Sequence, residues 1–427
     1  MTNDAASETT TQISQPSVVA PAHINADRLI ARLEDLARIG PIPNGGSCRL
    51  ALTDEDREAR DWLVDQMKSL GMTVKIDQIG NIIGIRPGKT DQAPVMTGSH
   101  IDTVRTGGRF DGNLGVLAGL EVIQTLNDTG VVTQRPIAVA AFTDEEGARF
   151  APDMLGSLVY VGGMDVEDAL DIVGIDGARL GDELTRIGYA GNEPVGALRP
   201  HAFVELHIEQ GPVLDIENIT IGAVEDLQGI SWQSIAITGQ SNHAGTTPMR
   251  LRHDAGYCAA AIGVFLRNLA SEIGGNQVCT VGKIDLHPNL VNVIAARATL
   301  TADLRNTDEA VLQAAEQALA DYLKNLAQQE GVEITTEKLA RFEPVTFDTR
   351  LVNLIQAQAD KLGLSCQKMT SGAGHDAQML ARWCPSAMVF VPSIDGISHN
   401  PAERTHDKDL VAGANVLLNT LLSLCDE

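Results

Sequence analysis

Hydrophobic and polar positions follow helical and strand-like periods in turn over the first half of the chain. Residues 54–70 and 115–130 carry apolar side chains at helical spacing, whereas residues 93–96 and 137–142 are short apolar runs typical of buried strands. Helices that alternate with buried strands are typical of a layered α/β fold. We therefore predict an α/β fold with a mostly parallel central sheet.

The middle of the chain has a different order of predicted elements. These are a strand at 231–238, a helix at 254–273, strands at 278–284 and 290–304, a helix at 309–329 and a strand at 332–339. This β-α-β-β-α-β order is typical of a ferredoxin-like unit. The pattern predicts a main domain in two pieces, residues 26–222 and 340–427, with residues 223–339 inserted between them.

Composition and charge narrow the class of protein. The chain has 427 residues, 44% hydrophobic and 21% charged, which is ordinary for a globular protein of two domains. The net charge of −24 disfavours nucleic acid and anionic membranes as partners. Residues 1–25 are rich in Thr, Ser, Ala, Gln and Pro and are predicted to be a flexible tail, not a signal peptide.

Cysteine usage and hydropathy bear on location. The six cysteines lack CxxC spacing, which favours a reduced compartment and argues against both a disulfide framework and a cysteine–zinc site. No apolar run reaches the roughly 20 residues of a membrane span. We expect a cytoplasmic protein.

Potential metal ligands follow several of the predicted strands, where open α/β sheets usually build their sites. His100 follows one strand, and Asp111 lies in a glycine-rich loop eleven positions later. Three consecutive acids, residues 144–146, follow the strand at 137–142 and would repel one another unless cations or protons neutralise them. A solvated acidic turn is the alternative interpretation.

A further strand weakens that alternative. Between residues 202 and 208, period-two alternation places Glu205 and His207 on one face, together with Glu209 just beyond, and apolar residues on the other. If the strand is central, its polar face needs a partner, and a metal ion supplies one. His399 lies in a loop after another predicted strand.

Eight motifs, in order, resemble the amidase/hydantoinase/carbamoylase family of the zinc exopeptidase superfamily. They are GSHIDTV, GGRFDGNLG, TDEEGARF, ELHIEQG, NHAGTTPM, NVIA with LTADLR, SGAGHDA and DGISHNPAE. The resemblance runs from about Ala26 to the C-terminus. It implies a zinc-exopeptidase-like catalytic domain, an inserted lid or dimerisation domain, and a homodimer that pairs through the inserted domain.

The resemblance also implies two divalent metal ions in each subunit. Asp111 would bridge the ions, with His100 and His207 as further ligands of one and Glu146 and His399 of the other. Histidine and carboxylate ligands suit zinc, manganese, cobalt and nickel alike.

The remaining implied roles concern the reaction. Glu145 resembles the general base, and His243 the group that stabilises the oxyanion, often from the partner subunit. The residues implied to line the pocket or hold a substrate carboxylate are Gln210, Asn292, Arg305, His375 and Asp376. Ala295 stands where relatives commonly have proline, so we expect a looser loop around Asn292.

Within this family, we expect hydrolysis of the ureido C–N bond of an N-carbamoyl-L-amino acid to the amino acid, CO₂ and ammonia. His207 occupies a position where peptidase relatives usually have a carboxylate, which favours ureido or amide substrates over peptides. The implied substrate is small and bears a carboxylate. An allantoate amidohydrolase is the main alternative, and an N-acyl amino acid deacylase or exopeptidase another. A non-catalytic protein is disfavoured because all implied ligands and Glu145 are present.

Overall fold

The computed structural model describes residues 22–427, which form two β-sheets with helices packed against them. In chain order the strands are β1 (Thr73–Ile76), β2 (Ile82–Arg86), β3 (Val95–His100), β4 (Ile137–Phe142), β5 (Ala202–Ile208), β6 (Ile221–Leu227), β7 (Gly229–Thr238), β8 (Val278–Thr280), β9 (Ile284–His287), β10 (Arg297–Asn306), β11 (Glu333–Phe342), β12 (Val345–Thr346), β13 (Cys366–Ser371) and β14 (Ser386–Val391).

The α-helices cover both sheets. They are α1 (Ala26–Leu36), α2 (Asp54–Ser69), α3 (Asn113–Asp128), α4 (Leu155–Tyr160), α5 (Val166–Leu170), α6 (Leu180–Ile187), α7 (Val213–Glu217), α8 (Ala255–Ile273), α9 (Glu309–Glu330), α10 (Thr349–Lys361), α11 (Asp376–Leu380) and α12 (Asp407–Cys425).

The larger sheet has the order β1-β2-β4-β3-β5-β14-β6-β12, with β13 beside β6. Its central strands β4, β3, β5 and β14 run parallel and are buried along their whole length. They are buried because helices cover both faces, which explains their nearly continuous apolar sequences. The predicted α/β class with a mostly parallel central sheet is confirmed.

The start of the described chain is attached to the main sheet layer. The backbone N–H groups of Ala22 and Ile24 donate to the side-chain oxygens of Asn419 and Asn415 in α12, at 3.0 and 2.9 Å. Asn25 caps α1 by accepting from the next turn. The flexible tail predicted for residues 1–25 was therefore too long, because these contacts hold residues 22–25 in place. Residues 1–21 lie outside the described part of the chain.

The second sheet is antiparallel, in the order β11-β7-β10-β8, with β9 also paired to β10. Helices α8 and α9 pack on one face of it. Along β10 the buried residues Ala302 and Leu304 belong to a hydrophobic cluster separate from that of the main sheet, while Asp303 and Arg305 are only partly buried and point to the opposite face.

The bounds of the strands show where the chain passes from one sheet to the other. Strand β6 still pairs within the main sheet, and β11 continues in the second sheet to Phe342. The predicted boundaries at 222/223 and 339/340 therefore cut through these two strands. The division into two domains itself stays a prediction.

Two of the strands predicted in the inserted segment were wrong in extent. The single strand at 278–284 is two short strands, β8 and β9, and the strand predicted at 290–304 begins only at Arg297. Pro288, which has no N–H group, and Asn289, with φ 51°, stand at the end of β9 and interrupt a hydrogen-bonded ladder.

Among residues 22–427, no helix has the length and low polarity that crossing a bilayer requires. The cytoplasmic location stays a prediction.

Candidate metal centre and active site

The predicted ligands meet at one edge of the main sheet, at the carboxyl ends of its parallel strands. His100 ends β3, His207 lies in β5, and Glu146 follows β4. Asp111 lies between β3 and α3, and His399 lies beyond β14. Parallel strands bring their carboxyl ends to the same edge, so residues distant in sequence become neighbours there.

The carboxylate of Asp111 lies at the centre of this cluster. Its Oδ1 is 3.1 Å from Nε2 of His207 and 3.8 Å from Nε2 of His100. Its Oδ2 is 3.3 Å from Nε2 of His399, which is also 3.3 Å from Oε2 of Glu146. Two groups that could each hold a divalent ion therefore share Asp111, and their nitrogen and oxygen donors suit such ions.

Glycine makes the close approach of the Asp111 loop possible. Gly112 has φ 65°, and a Cβ atom there would lie 2.4 Å from the ring of His100. Its backbone nitrogen lies 3.1 Å from Nε2 of His207. Another side chain at this position would therefore push the loop away from the histidines.

Glu403 holds the same loop from the other side. Its Oε1 accepts hydrogen bonds from the backbone N–H groups of Phe110 and Asp111, at 3.0 and 3.2 Å. Ser398 Oγ lies 3.2 Å from Oε2 of Glu403 and 3.3 Å from Oδ2 of Asp111. Glu403 is 2% exposed, so these contacts fix the backbone of Asp111 from within the protein.

Asp102 fixes the backbone of the acidic turn after β4 in a similar way. Its two carboxylate oxygens accept from the backbone N–H groups of Glu145 and Glu146, each at 3.3 Å. Its carbonyl oxygen is 3.0 Å from Nδ1 of His100, which leaves Nε2 of that ring facing the cluster. The Glu145 carboxylate lies 3.3 Å from the same Nε2.

Burial and mutual repulsion raise the pKa values of the acids. Burial raises the pKa of Glu145 well above its ordinary value, and the charges of Asp376 and Glu146 add to this. Burial likewise raises the pKa of Glu146, with a further contribution from Asp111. The solvated acidic turn is therefore excluded as an account of residues 144–146, because Glu145 lies in a buried cluster of like charges.

The same environment shifts the pKa values of His100 and His207 in opposite directions. Burial lowers the pKa of His100 to about 4, which keeps its imidazole neutral. Burial would also lower the pKa of His207, but the hydrogen bond and charge of Asp111 outweigh it and raise the pKa to about 9. Without a metal, a proton therefore lies between His207 and Asp111, where a cation would otherwise bind both.

A cavity of about 290 Å³ opens over the cluster and is closed on one side by the second sheet. Besides residues of the cluster, its walls include Gln210, His375, Asp153, Trp232 and Arg305. The last two come from β7 and β10, so both sheets build the cavity.

Three of the predicted substrate residues line this cavity. Arg305 is held by Asp303 at 2.9 Å and donates to the carbonyl of Gly372 at 2.6 Å. Gln210 donates to Oδ2 of Asp111 at 2.9 Å, and the ring of His375 lies 4.5 Å from that of His207. Asp376 does not line the cavity because it is buried behind the wall, at the start of α11.

His243 and Asn292 lie elsewhere, on exposed loops of the inserted segment. The two loops are joined, since the N–H of Ala244 donates to the carbonyl of Asn292 at 2.9 Å. Nδ1 of His243 accepts from the N–H groups of Gly245 and Thr246, so Nε2 carries the proton in the neutral ring. Within this chain neither predicted residue reaches the cavity.

Sequence reasoning assigned no role to four residues that shape the site: Asp102, Asp153, Trp232 and Glu403. Asp102 and Glu403 lie inside motifs that also contain predicted ligands, and this position could have marked them as residues of the site. Asp153 and Trp232 reach the cavity only through the tertiary fold, and nothing in their local pattern marks them.

Comparison with known proteins agrees with this geometry. Residues 96–423 match peptidase family M20/M25/M40. The chain belongs to this family. The M20 family consists of metal-dependent hydrolases that use divalent ions, so the predicted resemblance and the predicted class of enzyme are confirmed.

Relatives within the M20 family cover nearly the whole chain. An N-carbamoyl-L-amino-acid amidohydrolase of Rhizobium meliloti is 41% identical over 404 residues, 94% of this chain and 97% of that protein. An allantoate amidohydrolase of Escherichia coli K12 is 36% identical over 394 residues, 91% of this chain and 95% of that protein. The crystal structure of a hydantoinase/carbamoylase family amidase from Burkholderia multivorans has a TM-score of 0.91 and 46% identity, over 95% of this chain and 99% of that one.

The protonation of the cluster predicts how metal affinity depends on pH. His207 is protonated below its pKa of about 9, and the raised pKa of Glu146 also favours its protonated form. An ion must displace these protons, so affinity should rise with pH between about 6 and 9, by roughly tenfold per unit for each proton released.

Isothermal titration of the metal-free protein with Mn²⁺, in two buffers of different ionisation enthalpy, measures both affinity and proton release. His201→Gln, a change outside the cluster, is the matched control and should keep the wild-type pH dependence. Affinity that stays constant over this pH range would show that the cluster does not bind the ion.

Proposed function

We propose that this M20 family member is a dinuclear-metal amidohydrolase that cleaves the ureido C–N bond of N-carbamoyl-L-amino acids. The products are the free amino acid, CO₂ and ammonia. The observation that carries the proposal is the central position of Asp111, whose two oxygens face separate groups of ligands below a cavity that also contains Glu145 and Arg305. Relatives 41% and 40% identical, named for this activity, support the choice of substrate.

Allantoate hydrolysis is the second candidate. Allantoate amidohydrolases of Escherichia coli and Bacillus subtilis are 36% and 34% identical to this chain over more than nine-tenths of its length. Both reactions cut a ureido C–N bond in a small carboxylate, so the metal cluster and Glu145 serve either one. The carbamoylase is preferred because two relatives of that name, 41% and 40% identical, are more similar than either allantoate amidohydrolase.

Glu145 is proposed as the general base. When bound, two divalent ions of zinc, manganese, cobalt or nickel would polarise the scissile carbonyl and acidify a water molecule. Glu145 then accepts a proton from the attacking water and donates it to the leaving nitrogen. Its backbone is fixed by Asp102 and its side chain faces the cavity, so the carboxylate is held where such a transfer is possible.

Arg305 is proposed to bind the substrate carboxylate. Asp303 and the carbonyl of Gly372 orient its guanidinium, and the ring of Trp232 lies 5.8 Å from it. A guanidinium held in this way can present its remaining N–H groups to a carboxylate. Gln210, beside Asp111, and His375, beside His207, are proposed to complete the binding of the substrate.

His243 and Asn292 are proposed to act in the site of a partner subunit. Both lie on exposed loops away from the cavity of their own chain, and the Nε2–H group of His243 is free to stabilise an oxyanion. Apolar side chains are unusually exposed around them, including Val291 at 103% and Met249 at 77%. Such a patch supports a homodimer that pairs through the inserted segment.

A substrate panel tests the proposed reaction. We expect the metal-loaded protein to hydrolyse N-carbamoyl-L-methionine with release of ammonia, and to leave N-acetyl-L-methionine and dipeptides nearly untouched. Comparing the highest kcat/KM among several N-carbamoyl-L-amino acids with that for allantoate separates the two candidates. A preference for allantoate of tenfold or more, about 1.4 kcal/mol in transition-state binding, would favour the second.

Glu145→Gln should lower kcat by about two to four orders of magnitude, because it removes the base. The metal content should not change, since Glu146 is the proposed ligand. Rate and bound metal are measured on the same sample, with Glu167→Gln in the exposed part of α5 as the matched control. A variant that loses an ion together with its activity would contradict this division of roles between the two glutamates.

Mixed dimers test the proposed role of the partner. Glu145→Gln and His243→Ala should each be nearly inactive alone, but a mixed dimer has one site with both groups intact. Random co-assembly should therefore restore about a quarter of wild-type activity. If light scattering shows mixed dimers and activity does not return, His243 does not act across the interface.

A further inference from the structure

Asp153 is an acidic residue in the cavity wall that the proposed reaction does not use. Of the four acids that line the cavity, Asp111 and Glu146 are proposed metal ligands and Glu145 is the proposed base, whereas Asp153 has no assigned role. It therefore requires a separate explanation.

The backbone holds Asp153 beside the acidic turn. Gly147, with φ 58°, bends the chain back so that a Cβ atom on it would lie 2.7 Å from Cα of Asp153. The next residue, Met154, donates its N–H to the carbonyl of Glu145 at 2.6 Å. Asp153 is therefore fixed relative to the proposed base, and its place in the wall follows from the fold of this turn.

No side chain among residues 22–427 neutralises Asp153. It is absent from the ion pairs of the described chain, and the guanidinium that lines the same cavity, that of Arg305, is paired with Asp303. Burial raises the pKa of Asp153 to about 6, although the charge of Arg305 opposes the shift. Asp153 is partly buried, and a substrate that fills the cavity would remove more water from its carboxylate, so a ligand that brings a hydrogen-bond donor would be stabilised there.

Another part of the cavity wall is suited to an uncharged side chain. Ile230 and Trp232 of β7 also line the cavity, and the Trp232 ring lies beside Arg305. If Arg305 holds the α-carboxylate, the methylene groups of a substrate side chain can pack on these residues. The end of that side chain would then lie near Asp153, the polar group of the wall that has no assigned role.

We propose that Asp153 is a specificity-determining residue that favours N-carbamoyl-L-amino acids whose side chain ends in a nitrogen hydrogen-bond donor. The inference rests on the proposed function and specifies its substrate class. An apolar side chain would leave the carboxylate of Asp153 desolvated and unpaired, and an acidic side chain would be repelled by it.

Three substrates of similar shape test this inference on the metal-loaded wild-type protein. They are the N-carbamoyl derivatives of L-glutamine, L-methionine and L-glutamate, whose side chains are similar in length. We expect kcat/KM for the glutamine derivative to exceed that for the methionine derivative by about 10- to 100-fold, the usual effect of a hydrogen bond to a charged group. The glutamate derivative should be the poorest.

Variants of Asp153 give the matched test. Asp153→Ala should bring the glutamine-to-methionine ratio close to one, and Asp153→Asn should chiefly reduce the discrimination against glutamate. Asp168→Ala, an exposed acid in α5 outside the cavity, should keep the wild-type ratios. Because ratios are compared, a general loss of active protein does not affect the result.

The two proposals fail in different ways. If wild type hydrolyses the methionine derivative as well as the glutamine derivative, or if Asp153→Ala leaves their ratio unchanged, the role of Asp153 is wrong and the proposed function stands. If none of the three is hydrolysed while another amide is, both proposals are wrong.

Discussion

Buried negative charge is the constraint on which the rest of this site depends. Asp102, Asp111, Glu145 and Glu146 lie at the end of a sheet buried by helices on both sides, and Asp144 and Asp376 are buried close by. Such a concentration of carboxylates in a medium of low dielectric is unstable without cations or protons. The proton between His207 and Asp111 meets part of this need, and divalent ions would meet more of it. The same charges keep Glu145 basic enough to move a proton.

The sequence predicted the main sheet well because its central strands are buried on both faces. The run at 137–142 is apolar at every position and has the predicted bounds in β4. The second sheet was harder for the same physical reason. All four residues of β9 are exposed, so burial imposes no pattern on them. Leu290 and Val291 suggested a strand, but they lie in an exposed loop, where the proposed pairing of subunits would account for their apolar character.

The positions of the site residues could be predicted where those residues lie in a strand or directly follow one. His100, Glu146 and His207 could be placed at one sheet edge from sequence, because parallel strands share that edge. The distances around Asp111 could not, since they depend on Gly112 and Glu403 holding the loop. Residues contributed by the second sheet depend on how the two sheets pack. For that reason Arg305 reaches the cavity, whereas His243 and Asn292 do not reach it within one chain.

The central claim is that Asp111 joins two divalent ions, and anomalous X-ray diffraction from crystals of the zinc-loaded protein tests it most directly. Data collected on both sides of the zinc absorption edge locate each ion without reference to activity. We predict two peaks about 3.5–4 Å apart on either side of Asp111, one beside His100 and His207 and the other beside Glu146 and His399. A single peak, or peaks away from Asp111 in fully loaded protein, would contradict the account.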